Sequence, residues 1–212
     1  MLMKKNLYSL ILAEEVVDAI DRLAVENKTN RSHLINEILA EYVSLTTPEK
    51  RISGVFREMD RILSSVGADV SYDEHDDVIV LKSALAVKYR PAIKYEVQLF
   101  HTFSDCFGQL RVNVRTQSLS LINVLSRFFT MWQKLERAYL GAYYNERVEY
   151  TGDGTRWTRL LTLPSTDCDL SKAITDYVGV LDKLLKNYLS DGSAQNLESS
   201  YVSALNQDLL KI

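Results

Sequence analysis

Residues 5–43 constrain the chain more than any other stretch: a strand-period segment and two short amphipathic helices lie together in a piece too small to bury their apolar faces. KNLYSLIL, residues 5–12, reads as a strand. Ala13-Glu14-Glu15 opens a helix, with acidic residues in the first turn where the helix dipole favours them. Val16, Val17, Ile20, Leu23 and Ala24 form its apolar face. Glu26-Asn27-Lys28-Thr29 reads as a turn, and Asn30 as the N-cap of a second helix. Leu34, Ile35, Ile38, Leu39 and Tyr42 then repeat at helical spacing. One strand and two short helices cannot enclose a core. Two copies can, by pairing their strands into an antiparallel ribbon and interlocking their helices. The segment therefore predicts a homodimer, or a higher oligomer built on one.

The strings AEEVVDAIDRLA and TNRSHLINEILAEYV, preceded by a short strand, resemble the ribbon-helix-helix (Arc/MetJ/CopG-type) family of DNA-binding proteins over residues 5–45. The resemblance implies a transcription regulator that binds double-stranded DNA, and two cysteines far apart and in no motif suit a reducing cytoplasm. In such proteins alternate strand residues enter the major groove as a two-stranded ribbon. Counting back from Ala13, the inward residues are Tyr8, Leu10 and Leu12, and the outward, base-reading ones are Leu7, Ser9 and Ile11. The start of the second helix, Asn30-Arg31-Ser32, is expected to hold a DNA phosphate on its backbone N–H groups, with Lys4 and Lys5 beside the ribbon. The sequence departs from the family in two respects. Leu7 and Ile11 offer no hydrogen bonds and can touch only thymine methyls. The first fifty residues are also acidic, with Lys4, Lys5, Arg22, Lys28, Arg31 and Lys50 against eight Asp and Glu. Dimerisation alone, with the outer ribbon face covered by another part of the protein or by a partner, is the alternative reading: an antitoxin-like or adaptor protein whose C-terminal domain binds a protein partner.

Thr46-Thr47-Pro48 reads as a linker, so the chain divides into a dimerisation and DNA-binding module at 1–48, an α+β domain at 49–190 and a tail at 191–212 with a short amphipathic helix. In the second part a helix at about 50–66 presents Ile52, Val55, Phe56, Met59, Ile62, Leu63 and Val66. Strands follow in DDVIVLKSAL, in VKYRPAIKYEVQLF, where Pro91 marks an edge or bulge, and in QLRVNVRT. The last alternates strictly, with Leu110, Val112 and Val114 on one face and Arg111, Asn113 and Arg115 on the other, which predicts one buried and one wet face. A helix at 119–141 carries Leu121, Leu125, Phe128, Trp132, Leu135 and Tyr139. Strands around RVEY and TRWTRLLTL flank the turn Gly152-Asp153-Gly154, and a helix spans 170–189. The order α-β-β-β-α-β-β-α predicts one antiparallel sheet covered by helices on one side. That element order resembles the type III secretion chaperone-like fold, and it implies a domain that senses or binds a protein partner.

The remaining chemistry is sparse. The formal charge of −3 lacks the basic surplus of dedicated nucleic-acid binders, so the DNA reading rests on local architecture. His101, Asp105 and Cys106 lie near each other, but no ligands sit at C-x2-C or i,i+4 spacing, so no metal is expected. Asp76, Asp77, Lys94 and Glu96 lie on or near strands, but Lys94-Tyr95-Glu96-Val97-Gln98 has glutamine where a restriction-type nuclease needs lysine. No phosphate loop, nucleophile elbow, dinucleotide fingerprint or zincin motif occurs. Neither enzymatic activity nor a cofactor is expected. Cys106 and Cys168 form no disulfide framework. The apolar run near the start is too short and too soon followed by acids for a signal peptide, and no stretch suits a membrane span.

Overall fold

Helix α1 (Glu14–Glu26) begins at an extended Ala13 that has no side chain to cap it; Glu14 and Glu15 supply the negative charge its first turn favours. The helix ends where Asn27 donates from Nδ2 to the Leu23 carbonyl at 2.9 Å and Lys28 takes a left-handed φ of 52°. Asn30 caps α2 (Arg31–Tyr42), its side chain accepting from the His33 N–H at 2.9 Å. The expected turn and both helices are present. The computed structural model describes residues 7–43, 45, 47–65, 69–73, 77–85, 87, 90–101, 106–144, 149–162, 168–210 and 212. Residues Met1–Arg51 form one compact unit and Ile52–Ile212 another.

The expected N-terminal strand is not formed within the single chain. Leu7 to Ala13 enters no ladder, and strand hydrogen bonds require a neighbouring strand. Burial in this unit is equally incomplete. Of its helical residues Ala24, Leu34 and Ala40 are buried, while Val16, Leu23, Ile38, Leu39 and Tyr42 remain exposed.

The second unit carries the observed α+β architecture. Helix α3 (Pro48–Ser65) leads into β1 (Asp69–Asp73), β2 (Val78–Ala84), β3 (Ala92–Leu99) and β4 (Cys106–Val114). Then come α4 (Leu119–Tyr144), β5 (Tyr150–Gly152), β6 (Arg156–Thr162), α5 (Leu170–Asp191) and α6 (Ala194–Asn206). The strands form one antiparallel sheet in the order β1-β2-β3-β4-β6-β5. Four strands precede α4 where three were expected. The additional one, DVSYD, is short and polar and lies at the sheet edge. Pro91 stands just before β3 rather than inside it. It has no N–H to give a ladder, and its carbonyl accepts from the Leu85 N–H at 3.1 Å.

Period-2 patterning fixes the two faces of the sheet. Ile79, Leu81, Ile93, Tyr95, Val97, Leu99, Leu110, Val112, Trp157 and Leu161 point to the core. They meet Ile52, Phe56, Met59 and Leu63 of α3, with further residues from α4, α5 and α6. The segment expected as a tail belongs to this core: Leu197, Tyr201, Leu210 and Ile212 are buried in it. An amphipathic helix that follows a domain directly, through a left-handed Gly192, has its apolar stripe available for packing, and here Tyr201 packs against Trp132 and Tyr139 of α4. The opposite face presents Lys94, Glu96, Gln98, Gln109, Arg111, Asn113, Arg156 and Thr158, all half-buried or exposed.

Candidate nucleic-acid interface

Alternation in the leading segment separates two sets of side chains. Leu7 and Ile11 are fully exposed and Ser9 is exposed with them, whereas Tyr8, Leu10 and Leu12 fall from 79% to 61% to 41% exposure as the chain nears α1. The odd positions expected to face outward thus stand free, and the even ones turn progressively toward the protein. Of the described large apolar side chains left exposed, all but Leu119 lie between Leu7 and Leu45. A fully buried Leu or Ile gains about 1.5–3 kcal/mol over an exposed one, so leaving this face uncovered forgoes that gain at each of these positions.

At the start of α2, Asn30 spends its side chain on the cap, satisfying the His33 N–H. The Arg31 and Ser32 N–H groups are the first of the helix and have no in-helix carbonyl to bond. Arg31 itself is engaged. Its guanidinium makes a bidentate pair with Asp21 of α1, through Nε at 2.6 Å and through Nη2. The hydrogen bond to Asp21 raises the Arg31 pKa, and the same bond lowers that of Asp21. Both partners are exposed, so the pair is weak and exchangeable. Lys4 and Lys5 lie outside the described residues. The structure therefore brings Asn30, Arg31 and Ser32 together at one helix start and sets Leu7, Ser9 and Ile11 on one side of the leading segment.

The other sequence candidates stay apart or serve structural ends. His101 Nε2 lies 2.6 Å from an Asp77 carboxylate oxygen, while Asp76 and Asp105 fall outside the described residues. No group of three metal-ligating side chains occurs among the described residues, and no described helix is long and apolar enough to cross a membrane. Gly152-Asp153-Gly154 is a turn as expected. Asp153 accepts from the Thr155 hydroxyl and from the Thr155 and Arg156 N–H groups, bonds that lower its pKa.

Two polar clusters escaped sequence reading. Glu136 of α4 and Arg159 of β6 are both buried and paired at 3.1 Å. The carboxylate also accepts from Tyr150 at 2.7 Å and Tyr177 at 2.8 Å, and Trp132 Nε1 donates to the Tyr177 hydroxyl at 3.0 Å. Arg159 stacks over the Tyr177 ring at 4.6 Å and donates to the Ile212 carbonyl. Burial, and then the Glu136 charge, raise the Tyr150 pKa above its ordinary value. In the second cluster, Asp182 and Lys186 of α5 pair at 2.7 Å, with Lys186 Nζ also 2.6 Å from Ser83 Oγ and Tyr95 donating to Asp182 at 3.0 Å. The ammonium is held by a carboxylate, which suits a helix-to-sheet tie rather than a base for Ser83.

Comparisons with protein-family models, with curated proteins and with solved structures each return no match. The ribbon-helix-helix reading accordingly rests on residues 7–45 of this chain themselves.

Proposed function

We propose that the chain is a homodimeric DNA-binding regulator, its N-terminal module forming the dimer and presenting a paired ribbon to the DNA. One observation carries the reading: nearly all the large apolar side chains left exposed lie in residues 7–45, on the leading segment and the two helices after it. A second copy satisfies both needs at once. Its strand supplies the missing ladder, and its helices cover Val16, Leu23, Ile38 and Leu39. Pairing places Leu7, Ser9 and Ile11 of both copies on one outer surface. The duplex is then held by the helix starts at Asn30-Arg31-Ser32 and read through contacts to thymine methyls and one hydroxyl. The C-terminal unit supplies a second interface. Cytoplasmic residence goes with this reading.

The apolar outer ribbon and the Arg31–Asp21 pair favour one competing reading, an adaptor that dimerises through the module and binds a protein partner. Selection from random duplexes at moderate salt separates the two. A two-fold dimer reading DNA enriches a palindrome with thymine-rich half-sites. No enrichment, together with no retention of any duplex at low salt, sinks the DNA reading and leaves the adaptor.

A further inference from the structure

We propose that the helix-free face of the C-terminal sheet, along β3, β4 and β6, is a second contact surface for duplex DNA, made to the phosphate backbone and not to the bases. This rests on the duplex-binding reading above and extends it to a surface on the other unit.

The strand register assembles the surface. Lys94 of β3 lies opposite Asn113 of β4, and Asn113 opposite Arg156 of β6. One row along, Glu96 lies opposite Arg111, and Arg111 opposite Thr158. Arg115 follows β4 directly. These residues line a shallow groove of about 970 Å³. Four cations, Lys94, Arg111, Arg115 and Arg156, thus share the groove with one carboxylate, Glu96. Among the described residues no carboxylate lies within ion-pair distance of any of the four. Elsewhere, six cations, Arg31, Lys50, Arg61, Arg159, Lys172 and Lys186, each hold an acidic partner. Among the described residues, Arg111 alone of the four has a side-chain tether, donating to Gln98 at 2.8 Å. Besides Glu96, the carboxylate of Asp153 lies near this surface, accepting from the Arg156 N–H at 3.0 Å.

The lining chemistry selects the occupant. A second copy of the same face would set four cations against four, so the surface is not self-complementary. An acidic protein segment needs large apolar anchors to bind well; the uncharged lining here is the small Ala92 and Val114 with Asn113, Thr116, Gln117, Thr155 and Thr158. Arginine and lysine interspersed with hydroxyls and amides are the side chains that contact phosphate and sugar oxygens. Single strands are held by aromatic platforms, and no aromatic side chain lines this groove. A duplex backbone is what remains.

The test uses the full-length chain and a non-specific 30-base-pair duplex, with affinity measured over a salt series. Lys94→Ala with Arg156→Ala, both at exposed positions on the face away from the core, should weaken binding on the order of tenfold at fixed salt, whatever the duplex sequence. The slope of log affinity against log salt should fall by about 0.9 for each phosphate that is no longer neutralised. Glu96→Gln should do the reverse and tighten binding, a gain that damage to the fold cannot imitate. If the wild type binds while neither variant differs from it, the sheet face is overturned and the ribbon reading stands. If the wild type retains no duplex even at low salt, both fall. If poly-glutamate displaces the duplex as well as unlabelled duplex does at equal charge, the face prefers acidic protein and the proposal is overturned.

Discussion

Arg159→Met tests how the C-terminal core is held. The substitution removes the Nε bond to Glu136, the bond to the Ile212 carbonyl and the stack over Tyr177. Its thioether chain fills much of the same volume, so the loss is electrostatic rather than steric. Glu136 then keeps the Tyr150 and Tyr177 hydroxyls but no cation, in a site sealed from water. Breaking a buried pair in this way costs about 3–5 kcal/mol. For a unit of this size that is a fall in Tm of about 10 °C. Adding Glu136→Gln removes the stranded charge while leaving an amide whose oxygen accepts from one of the two tyrosine hydroxyls and whose NH2 donates to the other. The double variant should therefore be more stable than Arg159→Met alone, by about 2 kcal/mol, with a coupling energy of that order. Urea unfolding followed by tryptophan fluorescence reads this core directly, because both tryptophans of the chain, Trp132 and Trp157, lie buried in it. A cost below about 1 kcal/mol for Arg159→Met, or a double variant no better than the sum of the singles, refutes the argument.

Three further outcomes follow from the same geometry. Gly154→Ala should destabilise the C-terminal unit by about 1–3 kcal/mol in the same urea titration, because an added Cβ would lie 2.3 Å from the Ile122 carbonyl oxygen and 2.9 Å from the Ser126 nitrogen of α4. Tyr95, Tyr150 and Tyr177 have pKa values raised chiefly by burial; a raised folded value means stability fully present below about pH 10 and lost as pH climbs above it. Tyrosinate absorbance should accordingly show at least three of the twelve tyrosines ionising only as the chain unfolds, and a smooth titration of all twelve in the folded chain contradicts this. Asp21→Asn should release Arg31 and tighten duplex binding in a gel-shift series, whereas unchanged affinity removes Arg31 from the DNA contact.

The long helices are legible because each carries a stripe at the helical period, and most of the sheet because its strands alternate. Strand β1 is not, since DVSYD has the composition of a loop and pairs only along one side. The leading segment is the reverse case: its sequence is strand-like, but Leu7 to Ala13 meets no neighbouring strand within the single chain. A stripe drawn through Leu135 and Tyr139 leaves out Glu136, yet Glu136 is buried with Leu125, Phe128 and Trp132 while those two are only half-buried. Arg159 carries a readable signal, because it shares the parity of Trp157 and Leu161 in β6 and so has to point inward. Its partner cannot be read, since no local spacing links a helix residue to a strand residue 23 positions on. The basic groove is half legible. Arg111, Asn113 and Arg115 declare a wet face, but only the pairing of β4 with both β3 and β6 brings Lys94 and Arg156 beside them.

The claim beneath all of this is that residues 7–45 are half of a shared core, and sedimentation equilibrium of the full-length chain addresses it most directly. At micromolar concentration the wild type should sediment as a dimer. Ile38→Asp, at a position 44% exposed in the single chain, should sediment as a monomer, because the new carboxylate would be buried unpaired only in the dimer. Its C-terminal urea transition should be unaltered, since Ile38 belongs to the other unit. A wild type that is monomeric under these conditions, or an Ile38→Asp variant that still dimerises, contradicts the account.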